Sequence, residues 1–479
     1  MNHKQLSYSV DEINELLEKV ETIWQEIVNA RSSYSNINGR FTDVDKSIKI
    51  LTGRSTKLNS DQKSWQYSFF ANIRREINNA DFALAIVADP HFNDAELRPK
   101  LYNSALEMKM AMNIANTTNI NDVYVLGDIL NGDYNNSILY NDACEFKKLS
   151  EKALIIHGNH DCGGYIENLQ IMNPSVYGSH GAYLLPNSDL YNMFYRDNDV
   201  TEICKETLAF YKDYDDAKIR VVHVNTNDVP NVRDDNGELI YNPINWKGIS
   251  PLQLKWLVEH AFNFTGKSGW KIIIVSHAPL EPALDSEEGF DYYYDGGTER
   301  VANQNILREM IRQLNSGITT TLTPSMKSVP TTDYGTIKKI TSDGFTDITC
   351  SSERHAMNKK YFATNYTIDK TETDFTIALP QSIKVPVIAC LSGHIHTDDH
   401  YLLDDTTHHI TLSALANSNE DTEPDLNEFA ITVMIVKDAK LFFFRIGRNM
   451  GTVSDDMLIS GTTNYGIKTF ANKTFTIPE

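Results

Sequence analysis

From Phe82 onward, short apolar runs alternate with longer segments of helical spacing, and most of the runs break off into a turn of Asp, Asn, His or Gly. Phe82 to Val87 ends in Asp89-Pro90-His91, and Val123 to Leu126 ends in Gly127-Asp128. Ala153 to Ile156 runs into Gly158-Asn159-His160-Asp161, Ile219 to Val224 into Asn225-Thr226-Asn227-Asp228, and Ile272 to Val275 into Ser276-His277. Val385 to Leu391 ends in Ser392-Gly393-His394-Ile395-His396. Continuous apolar runs of this length are expected as strands buried on both faces. Between them, residues 95–116 and the segment opened by Ser250-Pro251 carry apolar side chains at three- and four-residue intervals and are expected as helices. Strands alternating with helices imply an α/β fold, whose ligands collect at the carboxyl ends of the strands. All the polar turns sit there.

The first eighty residues follow a different pattern. Ser9 and Glu12 fit a capping box, and Ile13, Leu16, Leu17, Val20, Ile23, Trp24, Ile27 and Val28 form one stripe. A helix over 9–31 fits equally a short oligomerising coiled coil or a helix docked on the core. Residues 32–60, rich in Ser, Asn, Gly and Thr, read as a linker, and 61–80 as helical.

Composition narrows the function classes. The 479 residues are 41% hydrophobic and 23% charged, ordinary for a globular protein, with a net charge of −20. That charge argues against a general nucleic-acid surface or an anionic membrane as partner. The five Cys are scattered without paired spacing and read as incidental thiols. No apolar segment resembles a signal peptide or a bilayer span, so the expected location is cytoplasmic, or outside the cell by a route that needs no signal.

The polar turns together offer metal chemistry. Asp89 and His91, two apart, would project to one side of an extended backbone, and His394 and His396 share that spacing. Asp128 follows a Gly that permits a sharp turn, freeing its carboxylate to bridge two ions. Asn159 and His277 complete a set of oxygen and nitrogen donors without thiolate. Such a set suits two divalent ions, Mn, Fe, Zn or Mg, with Mn favoured. Two ions ~3.5–4 Å apart can activate a bridging hydroxide for in-line attack at phosphorus.

Asp89-x-His91, Gly127-Asp128, Gly158-Asn159-His160-Asp161, His277 and Gly393-His394-Ile395-His396, in this order, resemble the calcineurin-like metallophosphoesterases. The resemblance implies a four-layered α/β/β/α sandwich over residues 81–450. It implies that Asp89, His91, Asp128 and His396 hold one ion, and that Asp128, Asn159, His277 and His394 hold the other. His160 would act on the substrate phosphate, with Asp161 orienting its ring. Leu441 to Arg448 looks like the late strand closing the family's second sheet.

Two departures from the family pattern bear on substrate. Protein-serine/threonine phosphatases of the superfamily carry G-D-x-V-D-R-G and G-N-H-E, whereas this chain has Gly127-Asp128-Ile129-Leu130-Asn131-Gly132 and ends the other motif in Asp161. The missing Arg points to phosphodiesterase- or nucleotidase-like members. The interval between His277 and His394 is long. It contains a helix expected over 299–315 and a Thr/Ser-rich stretch, so residues 285–383 read as a β-rich insertion, with 451–479 left as a C-terminal tail. Phe290 to Tyr294 is an aromatic run read as loop packing. His180 is left unassigned, and His223 reads as a hydrogen-bonded core histidine. Asp398, Asp399, Asp404, Asp405, His408 and His409 read as a solvated acidic hairpin. The alternative function is a structural or attachment protein, virion-associated, that grips or cuts a phosphate-containing polymer such as teichoic acid and oligomerises through 9–31.

Overall fold

The computed structural model describes residues 76–92, 103–132, 136–150, 152–163, 185–229, 243, 247–280, 301–302, 304–319, 379–380, 383–394, 396, 399–403, 407–414, 430–447, 459–461, 467–470 and 475–476. The helix expected at 9–31, the linker after it, His180, Phe290 to Tyr294, Asp398, Asp404, Asp405 and residues 320–378 lie outside them.

In chain order, β1 (Phe82–Val87) leads to α1 (Asn103–Thr117), β2 (Asp122–Leu126), α2 (Asn136–Leu149) and β3 (Leu154–Ile156). A short helix α3 (Asn187–Leu190) passes into a π-helical turn at Tyr191–Tyr195 and then β4 (Glu202–Ile203), β5 (Phe210–Tyr214), β6 (Ile219–His223) and β7 (Lys247–Gly248). Helix α4 (Pro251–Trp256) continues as a second π-helical turn, Leu257–Ala261, before β8 (Lys271–Val275), β9 (Val301–Ala302) and α5 (Gln304–Ser316). The later strands are β10 (Val387–Ser392), β11 (Asp399–Leu403), β12 (Thr407–Thr411), β13 (Ala430–Lys437) and β14 (Lys440–Gly447). They are followed by β15 (Ile459–Gly461), β16 (Ile467–Phe470) and β17 (Phe475–Thr476).

Among the described residues the strands form two large sheets and one small one. The first sheet runs β15-β16-β14-β13-β1-β2-β3, with β17 on β14, and the second runs β11-β12-β10-β8-β6-β5-β4. Pairing is parallel where the polar turns arise, at β1-β2-β3 and at β6-β8-β10. The second sheet shows its layering in its alternation. Val221, Ile273 and Val275 join the core shared with the first sheet, while Val222, Ile272 and Ile274 join Leu254, Leu257, Met310 and Leu314 of α4, its π-helical turn and α5. Helix α1 packs on β1, β2 and β13. The order is therefore helix, sheet, sheet, helix, the four-layered sandwich that the resemblance implies. Both faces of β1 are covered, which is why all six of its residues are buried and apolar. No described helix is long and apolar enough to cross a membrane.

Several expectations are corrected. Residues 451–479 are not merely a tail, because β15, β16 and β17 extend the first sheet through pairing with β14 and with one another. Strand β14 pairs with β13, the antiparallel neighbour of β1, and so belongs to the first sheet instead of closing the second. His408 and His409 on β12 are buried, not solvated, because β12 lies between β10 and β11.

Candidate metal centre

The turns after the strands are stitched to one another by backbone hydrogen bonds before any side chain is considered. The amides of His91 and Phe92 donate to the carbonyls of Asp128 (2.8 Å) and Ile129 (2.6 Å), zipping the turn after β1 to the turn after β2. Within the second sheet, the Gly393 amide after β10 donates to the His277 carbonyl after β8 (3.0 Å). Side chains finish the frame. The Asp128 carboxylate accepts the His160 amide (2.9 Å), and that of Asp89 accepts the His394 amide (2.8 Å).

The frame brings the seven candidate ligands into two groups that share Asp128. One ligand atom each from Asp89, His91, Asp128 and His396 lies within 4.8 Å of the others, and the same holds for Asp128, His277 and His394. Asn159 joins the second group, its Oδ1 standing 2.8 Å from His277 Nε2. His277 Nδ1 donates to the Leu126 carbonyl (2.9 Å), so Nε2 presents a lone pair. Around that lone pair converge Asn159 Oδ1, His394 Nδ1 (3.0 Å) and Asp128 Oδ1 (3.3 Å). In the first group His91 Nε2 and His396 Nε2 face each other at 3.0 Å, each 3.9 Å from a carboxylate oxygen of Asp128 or Asp89. Electron-pair donors crowding two points in a buried site repel unless a cation lies between them. The donor set therefore fits two divalent ions.

The backbone is strained to achieve this. Asp89, His91, Asp128, His394 and His396 all have positive φ, between 44° and 71°, where such residues are uncommon and cost about 1–3 kcal/mol each. The extended geometry expected for the Asp-x-His and His-x-His pairs is thus replaced by left-handed turns. His394 and His396 consequently part company, one in each group. Glycines allow the approach: a Cβ on Gly158 would meet the Asp128 carboxylate and amide, and one on Gly393 the Asp89 carboxylate.

His160 stands at the rim with Nε2 3.8 Å from Asp128 Oδ2. Its Nδ1 lies 2.7 Å from the Asn131 carbonyl, so Nδ1–H donates there and Nε2 faces the site. This corrects the expected role of Asp161. That carboxylate is turned the other way, accepting the Leu130 amide (2.8 Å) on one oxygen and the Gly158 amide (2.6 Å) on the other. It clasps the turn carrying Asn159 to the turn carrying Asp128, while the His160 ring is held at Nδ1 by the Asn131 carbonyl.

Burial acts most strongly on the titratable groups of the site, and their charged neighbours come next. Burial and then the neighbouring Asp128 raise the Asp161 carboxyl to about 7, against the pull of the Gly158 and Leu130 amides. Burial raises Asp89 well above the carboxylate range. Burial opposes the charged form of His277, yet Asp128 and Asp89 outweigh it and push the imidazole up to about 9, so a metal ion binding at Nε2 would displace a proton from it. Burial drives His91 and His394 well down, which suits neutral imidazole ligands.

Of the remaining histidines, His223 is fully buried with Nδ1 on the Leu208 carbonyl (3.1 Å), as read from sequence. Cys162 is less incidental than expected, since its thiol donates to the Asn159 carbonyl (3.2 Å). Asn131 holds His160 through its backbone carbonyl, which no side-chain pattern reveals.

Residues 82–309 match the family model described as calcineurin-like phosphoesterase. Among solved structures, a dimetal phosphatase from Danio rerio is 13% identical with a TM-score of 0.42, covering 77% of this chain and 97% of its own. A purple acid phosphatase from yellow lupin (Lupinus luteus) seeds is 11% identical with a TM-score of 0.33, covering 76% of this chain and 51% of its own. No curated protein matches the sequence. Residues 82–309 are thus similar to the calcineurin-like phosphoesterases, a family of metal-dependent hydrolases of phosphoric esters.

Proposed function

We propose that the protein is a dinuclear phosphoesterase acting on a phosphodiester or a small phosphomonoester rather than on a phosphoprotein. Asp89, His91, Asp128 and His396 would hold one divalent ion and Asp128, Asn159, His277 and His394 the other, with Mn the first metal to test. The observation that carries this reading is the convergence of lone pairs on two points sharing one carboxylate. When bound, two such ions supply Lewis acidity toward phosphoryl oxygens and activate water as nucleophile. The chain's own contribution lies in His160. With Nδ1–H held by the Asn131 carbonyl, Nε2 is the atom that approaches the phosphoryl group and passes a proton to the leaving oxygen. An imidazole bound to an ion through that nitrogen could not do this. His160 is therefore kept out of both ligand sets.

The preference against phosphoproteins rests on the turn Gly127-Asp128-Ile129-Leu130-Asn131-Gly132, which carries no Arg to grip a phosphorylated side chain. Hydrolysis of bis-p-nitrophenyl phosphate and p-nitrophenyl phosphate, each with added Mn, tests the reading. Turnover that falls ~10²–10⁴-fold in His160→Ala while bound metal is retained is the expected result. Unimpaired turnover in that variant would contradict the assigned role.

A further inference from the structure

His157 stands between the end of β3 and the Gly158-Asn159-His160 turn, and the sequence pattern gives it no part in the site. In the structure it is 2% exposed and held from two sides. On one side the Tyr195 hydroxyl lies 3.0 Å from the His157 amide nitrogen and 2.6 Å from its Nδ1. The amide N–H donates to the hydroxyl oxygen, and the hydroxyl donates to Nδ1, so one phenol fixes backbone and ring of the same residue. On the other side the Asn227 amide donates to the His157 carbonyl (3.3 Å), and Asn227 is itself held by Asn225 Oδ1 at its own N–H (2.9 Å).

Tyr195 is 1% exposed and ends the first π-helical turn, closed by the Arg196 amide on the Tyr191 carbonyl (2.8 Å). Such turns carry an extra residue that re-aims the side chains after it and often mark functional sites. Here the re-aimed side chain reaches β3 across the first sheet's edge. His157 precedes Asn159 by two residues and His160 by three, so the clamp acts on the pose of both.

Resting on the dinuclear reading above, we propose that Tyr195 is a positioning residue that, through His157, sets Asn159 and His160 against the metal centre. Tyr195 touches neither candidate ligand nor reacting atoms, so its loss should act on the pose of the turn alone. Outer partners of this kind typically alter metal affinity or activity 10–100-fold.

The test is Mn calorimetry and steady-state hydrolysis of bis-p-nitrophenyl phosphate on the full chain and three variants. Tyr195→Phe deletes only the hydroxyl, Asn227→Ala the opposing amide, and Phe194→Leu packing in the same π-helical turn. For Tyr195→Phe, Mn affinity at one of two sites and kcat should each fall ~10–100-fold with KM unchanged. Asn227→Ala should weaken the same site, whereas Phe194→Leu should lower Tm with Mn affinity and kcat intact. If Tyr195→Phe and Asn227→Ala bind Mn as the wild type does and lose only Tm, the proposal is overturned. A wild-type chain that binds no Mn would instead overturn the dinuclear reading, and the proposal with it.

Discussion

At Gly158 there is no room for even a methyl group, since a Cβ would collide with the Asp128 carboxylate and stand 2.7 Å from His277 Cε1. Gly158→Ala should therefore displace the shared carboxylate, and a shift of about 1 Å at such a site costs ~10²-fold in rate. A kcat loss of that order, with near-normal far-ultraviolet circular dichroism, is expected. At Asp161 the chemistry is subtler. The carboxylate accepts two buried amides, and an Asn side chain can accept only one, turning its NH₂ toward the other. Asp161→Asn should cost about 1–3 kcal/mol in urea unfolding. Residue identity and spacing made Asp89, Asp128, His277 and their companions legible as one site. The left-handed backbone at five of them was not legible, because Asp and His carry no obligate signal for positive φ. The resemblance makes Asp161 the orienting partner of His160, whereas the group on its Nδ1 is the backbone carbonyl of Asn131, which side-chain identity does not reveal.

Element-scale coherence is clearest at Arg220 of β6. Its guanidinium pairs with Asp213 of β5 (2.6 and 2.9 Å), donates to the carbonyls of His260, Ala261 and Asn263, and lies over the rings of Tyr211 and Phe264. One side chain thus ties the β5-β6 hairpin to the end of the π-helical turn after α4. Arg220→Ala leaves Asp213 buried with less than its partners, a loss of about 3–5 kcal/mol measurable by urea titration. Burial would raise the Asp213 carboxyl, but hydrogen bonds from Arg220 and Lys267 hold it below its ordinary value. A carboxyl depressed in the folded state contributes stability above its unfolded value, about 3.9, and loses it as pH falls through the folded value. The stability gap between wild type and Asp213→Asn should be full at pH 6 and close below about pH 4. The strands that feed the site were readable as apolar runs, whereas α2 was not. Its buried Leu139, Ala143 and Phe146 have helical spacing, but Asp142, also buried, interrupts the stripe. Strand β5 escaped because its half-exposed positions are Lys212, Asp213 and Tyr214, which break simple alternation, and β4 because Glu202–Ile203 is too short to show a period.

Across the whole molecule, two sheets bring turns far apart in sequence to one edge, so the site is a property of the layered fold. Parallel order and buried strands follow from the apolar runs, but which sheet received β14, and the use of 459–476 as strands, depended on edge pairing that local pattern does not encode. Clustered donors that repel without a cation imply linkage between metal and stability: chelation should lower Tm, and added Mn should restore it in a concentration-dependent way. The apolar stripe at 9–31 supports one further expectation. If it oligomerises, deleting residues 1–60 should reduce the mass in solution to that of a monomer without changing kcat.

The most direct measurement is the metal content of the purified, Mn-loaded chain beside that of Asp128→Asn, with hydrolysis of bis-p-nitrophenyl phosphate followed on both. Near two ions per wild-type chain, with occupancy and turnover both collapsing in a folded Asp128→Asn, is the expected result. One ion or none in the wild type, or turnover that survives loss of the shared carboxylate, would contradict the dinuclear account.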